Sequence, residues 1–447
     1  MLKEVRPATT ITEQIADYVV GLSYDDIPPT VVDRAKELLV FHIGAAFRGI
    51  ATQSGQQAVR TAMDISGSDC GYSIIGEPGR AGLLEAVFAN SSLMTYSGLA
   101  DLLFPTAELP GLVVHPAAWA LGEMGKASGR ELLTAVVIGY DVMAKLHNGQ
   151  LPYELAVPRP TKAATEPIGV AATAARLLKL SRGQTADAMG HAGSTVAGIY
   201  EGMEQLWLMH PHASRNGVLA AMLANAGFTA GRTIVEGRYG VYRTFFLQDV
   251  PDVVHEKLRG LGSDFELANA RTTRYPVSAT NALPIQLTAQ LVTEHSLTPS
   301  RVAQVDLVLP ASRAAREEIY GVYPKGPTSV VALALTGSRL DAARFEEEFD
   351  DELIAARDKV RLQFEDGHGF FYARVELTTT DDRRYTAEGG GDVPPAQPPL
   401  DWADWLACGR PILSDAQVDR LAELIRDLEN VDDVGEVLAC LVPGARL

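Results

Sequence analysis

The residues best equipped for proton transfer lie in one run, Trp207 to Phe246, in which His210, His212 and Arg215 follow each other closely. Imidazoles titrate near neutral pH and a guanidinium grips a carboxylate, so the trio suits chemistry beside an anionic group. Ser214 is a candidate N-cap for a helix whose apolar positions Leu219, Met222, Leu223 and Ala226 keep helical spacing, with Gly227 just past its end. On that reading both histidines and Arg215 stand at a helix mouth, where free backbone N–H groups favour an anion. The alternative, two loop histidines satisfied by backbone, stays open. Asp101 is the other candidate. In SGLADLLFPTAELPGLVV it is flanked by apolar residues, so if buried it needs a partner or a raised pKa, and either suits a general base; a turn or N-cap role fits equally. His42 falls on an apolar helical stripe and reads as a packed core histidine, and His191, in MGHAGSTVAG, as structural.

These groups must be carried by helices. Thr10 and Glu13 form a capping box for a helix to Leu22, and Pro28 and Pro29 start a second one that ends near Gly49. Further helices are expected from Ala81 to Leu93, from Ala117 (introduced by His115-Pro116) to Gly125, and from a Ser128/Glu131 capping box through Met143. The proline-rich stretch Asn148 to Pro160 reads as a pocket rim with Arg159 and Lys162, followed by helices at Ile168 to Leu178 and Gln184 to Gly198. Near Asp264 the pattern changes. Val305, Leu307 and Leu309, then Phe371, Ala373, Val375 and Leu377, alternate with period two, with Lys359 to Phe364 and Arg384 to Thr386 as further strands. A small antiparallel sheet with helices at Leu283 to Thr293 and Thr328 to Thr336 is expected, and the connector GGGDVPPAQPP leads to final helices near 415–430 and 434–440.

Composition narrows the function. The chain has 447 residues, 47% of them hydrophobic, enough for a large core and more than one unit. A net charge of −17 opposes nucleic acid and anionic lipid, so an anionic ligand needs a few placed cations. Three distant cysteines without metal spacing, an N-terminus without an apolar signal core, and no long apolar run predict a soluble cytoplasmic protein with no membrane span. Glycine-rich phosphate loops, HExxH and G-x-S-x-G are absent from the sequence. What remains is His, Arg, Asp and Tyr chemistry, which is proton transfer beside a carbonyl or carboxylate without a bound cofactor or metal.

Five stretches, SYDDIPPTVVDRAKELLVFHIGAAFRG, SIIGEPGRAGLLEAVFANSS, HPAAWALGEMGKASGRELLTAVVIGYDV, ASRNGVLAAMLANAGFTAGRTIVEGRYG and RYPVSATN, together resemble the MmgE/PrpD family of 2-methylcitrate dehydratases and cis-aconitate decarboxylases. The resemblance implies a mainly α protein: a large all-helical domain formed from both termini (1–265 and 405–447), an inserted smaller α+β lid domain (266–404), a homodimer, and a cleft for a small-molecule substrate. It also marks departures. Of the family's D-x-D-D run only Asp101 remains, followed by Leu109-Pro110; the lysine before its H-P-G falls on Leu206 or Trp207. The lysine of its K-x-Y-P falls on Thr273, leaving Arg274, Tyr275 and Pro276. The family histidine of mid-domain has no counterpart near 160–162, and a later one falls on Asn281 or Ala282.

The resulting expectation is a divergent, cofactor-independent lyase or isomerase of dehydratase or decarboxylase type. Its catalytic candidates are Asp101, His210, His212 and Tyr275, and its substrate-binding candidates are Arg215, Arg274, Trp207 and Lys162. Because a buried tricarboxylate needs several cations and this chain has lost two lysines, its substrate is expected to be less anionic, with Phe104 and Trp207 as apolar lining and Lys325 as a less securely placed cation. An epimerase or cyclase of a biosynthetic intermediate, and a non-catalytic dimeric binding or scaffold protein, are the alternatives.

Overall fold

Several helix starts follow side-chain capping. Thr10 accepts from the N–H of Glu13, whose carboxylate returns to the Thr10 N–H, and Ser128 with Glu131 and Ser181 with Gln184 repeat the device. In this computed structural model the described residues are 9–67, 71–104, 106, 108–147, 162–196, 208–314, 317, 326–394 and 401–444, with backbone only at 162 and 163.

Two compact units divide the chain, one formed by Met1–Thr272 with Leu400–Leu447 and the other by Thr273–Pro399. The first is helical: α1 (Ile11–Gly21), α2 (Pro29–Ile50), α3 (Gln53–Ser66), α4 (Leu83–Tyr96), α5 (Gly111–Gly125), α6 (Gly129–Leu146), α7 (Lys162–Leu177), α8 (Arg182–Gly193), α9 (Met209–Asn225) and α10 (Asp252–Arg259). Two short antiparallel pairs accompany them, β1 (Tyr72–Ser73) with β2 (Arg80–Ala81), and β3 (Asp101–Leu102) with β4 (Arg271–Thr272). Helix α5 is buried from Gly111 to Gly122, as its nearly unbroken apolar sequence requires. Helices α2 and α4 approach closely because Gly49 has no side chain: a Cβ there would stand 1.9 Å from the Leu93 carbonyl oxygen. The helix Trp402–Ala407 returns to this unit, and Trp405 packs edge-on against Phe41, with ring centroids 4.7 Å apart.

The second unit packs α11 (Ala279–Glu294), with the helices Pro327–Thr336 and Asp351–Arg357, against a four-stranded sheet, β5 (Val302–Pro310), β6 (Val360–Glu365), β7 (Ala373–Thr379) and β8 (Arg384–Gly389), in the order β6-β5-β7-β8. Strand β7 alternates fully between buried and half-buried positions. The sheet is mixed, which corrects the antiparallel expectation: β5 and β6 run parallel, from Val305 beside Val360 to Pro310 beside Glu365. The crossover between them contains the helix Asp351–Arg357, the kind of connection a parallel pair needs. Among the described residues no helix is long and apolar enough to cross a membrane.

Two helices start earlier than expected, α5 against a proline signal and α9 against a serine cap. Helix α5 begins at Gly111, with Pro116 inside it. Pro116 has no N–H for the Leu112 carbonyl one turn back, and the Ser91 hydroxyl on α4 donates to that carbonyl instead, at 2.6 Å. Helix α9 begins at Met209 and Ser214 is internal, not a cap: its hydroxyl donates to the Val113 carbonyl at 2.7 Å. Pro211 falls in the first turn of α9, where no intrahelical N–H is missing.

Candidate active site

Asp101 sits at the start of β3, fully buried, and its Oδ1 accepts from the Gly111 N–H at the first residue of α5 (3.0 Å). The same oxygen lies 3.1 Å from His42 Nε2 on α2, while His42 Nδ1 faces the Leu38 carbonyl at 2.9 Å. Gly111 makes this meeting possible, since a Cβ there would lie 2.0 Å from the His42 ring. His115 on α5 stands edge-on to His42 at 4.6 Å, and its Nε2 is 3.3 Å from the Tyr140 hydroxyl on α6. Burial alone would raise the Asp101 pKa, but the charge and hydrogen bond of His42, with help from Tyr140, outweigh it and hold the carboxyl below its usual range. Burial and the neighbouring His42 keep His115 neutral, well below the ordinary imidazole range. Asp101 therefore has partners in place of a raised pKa, and His42, which reads as a plain core histidine, is one of them.

A second cluster surrounds the start of α7. His210 on α9 is buried, with Nδ1 2.8 Å from Glu166 Oε1. A carboxylate on Nδ1 selects the tautomer with its proton there and leaves Nε2 as the basic nitrogen. One residue earlier, the Thr165 hydroxyl donates to Glu108 Oε1 at 2.7 Å, and His147 Nε2 is 4.0 Å from the same oxygen. Lys257 donates to the carbonyls of Ala144 (3.3 Å) and His147 (3.2 Å). Tyr242 donates to the Leu146 carbonyl, and its pKa is driven far up, by burial first and the Glu108 charge second.

The remaining candidates spread out. His212 lies on the exposed side of α9, its ring 5.4 Å from Phe88, and partial burial together with Arg215 lowers its pKa. Arg215 donates to Glu85 Oε1 on α4 at 3.4 Å. Neither residue marks a helix mouth, because α9 begins before both. In the second unit Arg274 is exposed, and Tyr275 is half-buried against that unit's own core. Trp207, Arg159 and Lys325 lie outside the described residues, and Lys162 is placed by its backbone alone, as the first residue of α7. Among the described residues no group of three or more His, Cys, Asp or Glu side chains is arranged to hold a metal ion.

Residues 13–253 match the MmgE/PrpD N-terminal domain, more than half of the chain. The chain belongs to the MmgE/PrpD family. That MmgE/PrpD segment carries both buried clusters apart from Lys257. Among curated relatives, the chain is 28% identical to the cis-aconitate decarboxylase-like protein oryM of Aspergillus oryzae over 285 residues, 59% of this chain and 58% of the relative. It is 27% identical over 280 residues to a cis-aconitate decarboxylase of Aspergillus terreus (59% and 56%), and 26% identical over 255 residues to that of Homo sapiens (55% and 52%). The chain thus spans a little over half the length of the MmgE/PrpD relatives it matches.

His42, His115, Tyr140, Glu108, His147 and Glu166 escape a reading by spacing, since they come from different helices and loops. Glu108 and Glu166 did carry a signal. Each is an acid among apolar or small residues, in FPTAELPG and KAATEPIGV, the same feature that singled out Asp101.

Proposed function

We propose that the chain is a cofactor-independent lyase of dehydratase or decarboxylase type, acting on a small carboxylic acid less anionic than a tricarboxylate. His210 is the general base. Its Nδ1 proton is held by Glu166 while, in a dehydration, Nε2 takes a proton from the carbon next to the substrate carbonyl or carboxylate and the electron pair left behind expels the hydroxyl group; in a decarboxylation the bonding pair stays on carbon as carbon dioxide leaves, and that carbon is then protonated. The observation that carries this reading is the buried 2.8 Å contact between His210 and Glu166, an oriented imidazole inside the segment that matches the MmgE/PrpD N-terminal domain. Asp101, already committed to His42 and the Gly111 N–H, positions the start of α5.

The lower substrate charge is supported by the interior itself. Asp101 and Glu166 are fully buried acids already paired with His42 and His210, and Arg215 is shared with Glu85. Such surroundings repel a trianion, since an uncompensated buried charge costs several kcal/mol. The reading extends, with the family resemblance, to a homodimer.

The test is solvent-deuteron exchange and turnover with malate, citramalate and 3-hydroxybutyrate beside citrate, 2-methylcitrate and cis-aconitate. We expect activity in the first group and a loss of about 10²–10⁴-fold in kcat for His210→Gln. Preference for the tricarboxylates would overturn the charge argument. Absence of exchange and turnover with all six would overturn the lyase reading.

A further inference from the structure

The lyase reading uses one proton-transfer group, yet the same turn of α7 holds a second. Thr165 and Glu166 are consecutive; Glu166 meets His210, whereas Thr165 donates to Glu108 at 2.7 Å. Glu108 is fully buried although it lies in the connection between β3 and α5. That connection is built to hold it: the Leu103 N–H donates to the Glu108 carbonyl at 3.0 Å, and the Thr106 hydroxyl donates to the Leu103 carbonyl at 3.1 Å. Among the described residues, titratable groups come toward the Glu108 side chain from three elements. His147 comes from the end of α6, with Nε2 4.0 Å from Glu108 Oε1, Tyr242 from the turn Tyr242–Phe246 and Lys257 from α10. A carboxyl group fixed this way, with a donor hydroxyl on one oxygen, has the placement expected of a working acid and exceeds what a loop needs for stability.

Resting on the lyase reading, we infer that Glu108 is the second catalytic proton-transfer group of this site, the acid that completes the dehydration His210 begins or that protonates carbon after a decarboxylation. In a dehydration His210 removes the carbon-bound proton, the carbon–oxygen bond breaks with its electron pair on oxygen, and the Glu108 proton joins that oxygen, so that water leaves. In a decarboxylation the carbon–carbon bond breaks, carbon dioxide departs, and Glu108 protonates the carbon that keeps the electron pair. Thr165 is a positioning residue, since it acts on Glu108 and not on substrate.

The experiment compares wild type, Glu108→Gln and His210→Gln with whichever compound of the panel wild type turns over. For a dehydration, E108Q is expected to keep carbon-bound deuteron exchange within about threefold while net turnover falls by about a hundredfold or more, and to lose the high-pH limb of kcat; H210Q loses exchange and turnover together. For a decarboxylation, E108Q is expected to lower net turnover by about a hundredfold or more and to lose the same high-pH limb, because each product molecule needs one proton at the carbon that lost carbon dioxide. Thr165→Val should shift the same pH limb without removing it, and it serves as the variant if E108Q does not fold. Wild-type turnover and pH profile in E108Q, or an unshifted limb in T165V, would overturn the role of Glu108 and leave the His210 reading standing. Absence of activity in wild type would instead remove the lyase reading and this inference with it.

Discussion

Asp141 and Asp101 are buried carboxyl groups on which the protein acts in opposite senses. Tyr18 donates to Asp141 Oδ2 at 2.6 Å and the Glu266 N–H to Oδ1 at 2.8 Å, yet burial pushes the group up to about 7. The folded state therefore binds a proton that the unfolded chain has released between about pH 4 and 7, and stability from Asp141 is full at the lower end and declines as pH rises. Asp101, held below its usual range, contributes stability above the unfolded carboxylate pKa and loses it on acidification. Asp141→Asn should flatten the decline between about pH 4 and 7, seen as a urea midpoint that changes less with pH than in wild type; an unchanged slope would count against a neutral buried Asp141. At this scale the sequence is informative about type and silent about partner. An acid among apolar residues can be recognised in Asp101, Glu108 and Glu166. Nothing in the spacing of His42 and Asp101 indicates that α2 and β3 meet.

At the scale of elements, capping chemistry was legible at Thr10 and Ser128, where one side chain closes its own turn, while Ser181, which caps α8 in the same way, was not read from the sequence. Proline misled where tertiary structure supplies a substitute donor. Leu112, deprived of a helical N–H by Pro116, is satisfied by Ser91; Thr280, in the same relation to Pro284, accepts from Arg313 at 3.0 Å. The parallel pairing of β5 and β6 was equally hidden, because alternation gives the face of a strand and not its direction. Gly111 is the sharpest constraint on any element near the site. Gly111→Ala would push a methyl group into the His42 ring, 2.0 Å away, and should destabilise the protein by about 1–3 kcal/mol in denaturant unfolding. The same change in an exposed part of a helix would stabilise it.

At the scale of the whole molecule, the mainly α character and family membership were readable because they rest on many weak signals that agree. The units Met1–Thr272 with Leu400–Leu447, and Thr273–Pro399, each have their own hydrophobic core. Trp405 belongs to the first, where a Cβ on Gly44 of α2 would lie 2.9 Å from its ring. Trp405→Ala should cost about 3–5 kcal/mol and reduce amide protection along α2, while β5 and β7 keep theirs in hydrogen exchange. Equal loss in both units would mean that they unfold as one. The position of Trp405 also sets a timetable. A ribosome releases α2 early, then the whole of Thr273–Pro399, and only afterwards the tryptophan that covers Gly44. At about 5–20 residues per second, α2 waits many seconds without the tryptophan that covers this face, an interval in which exposed apolar surface favours aggregation.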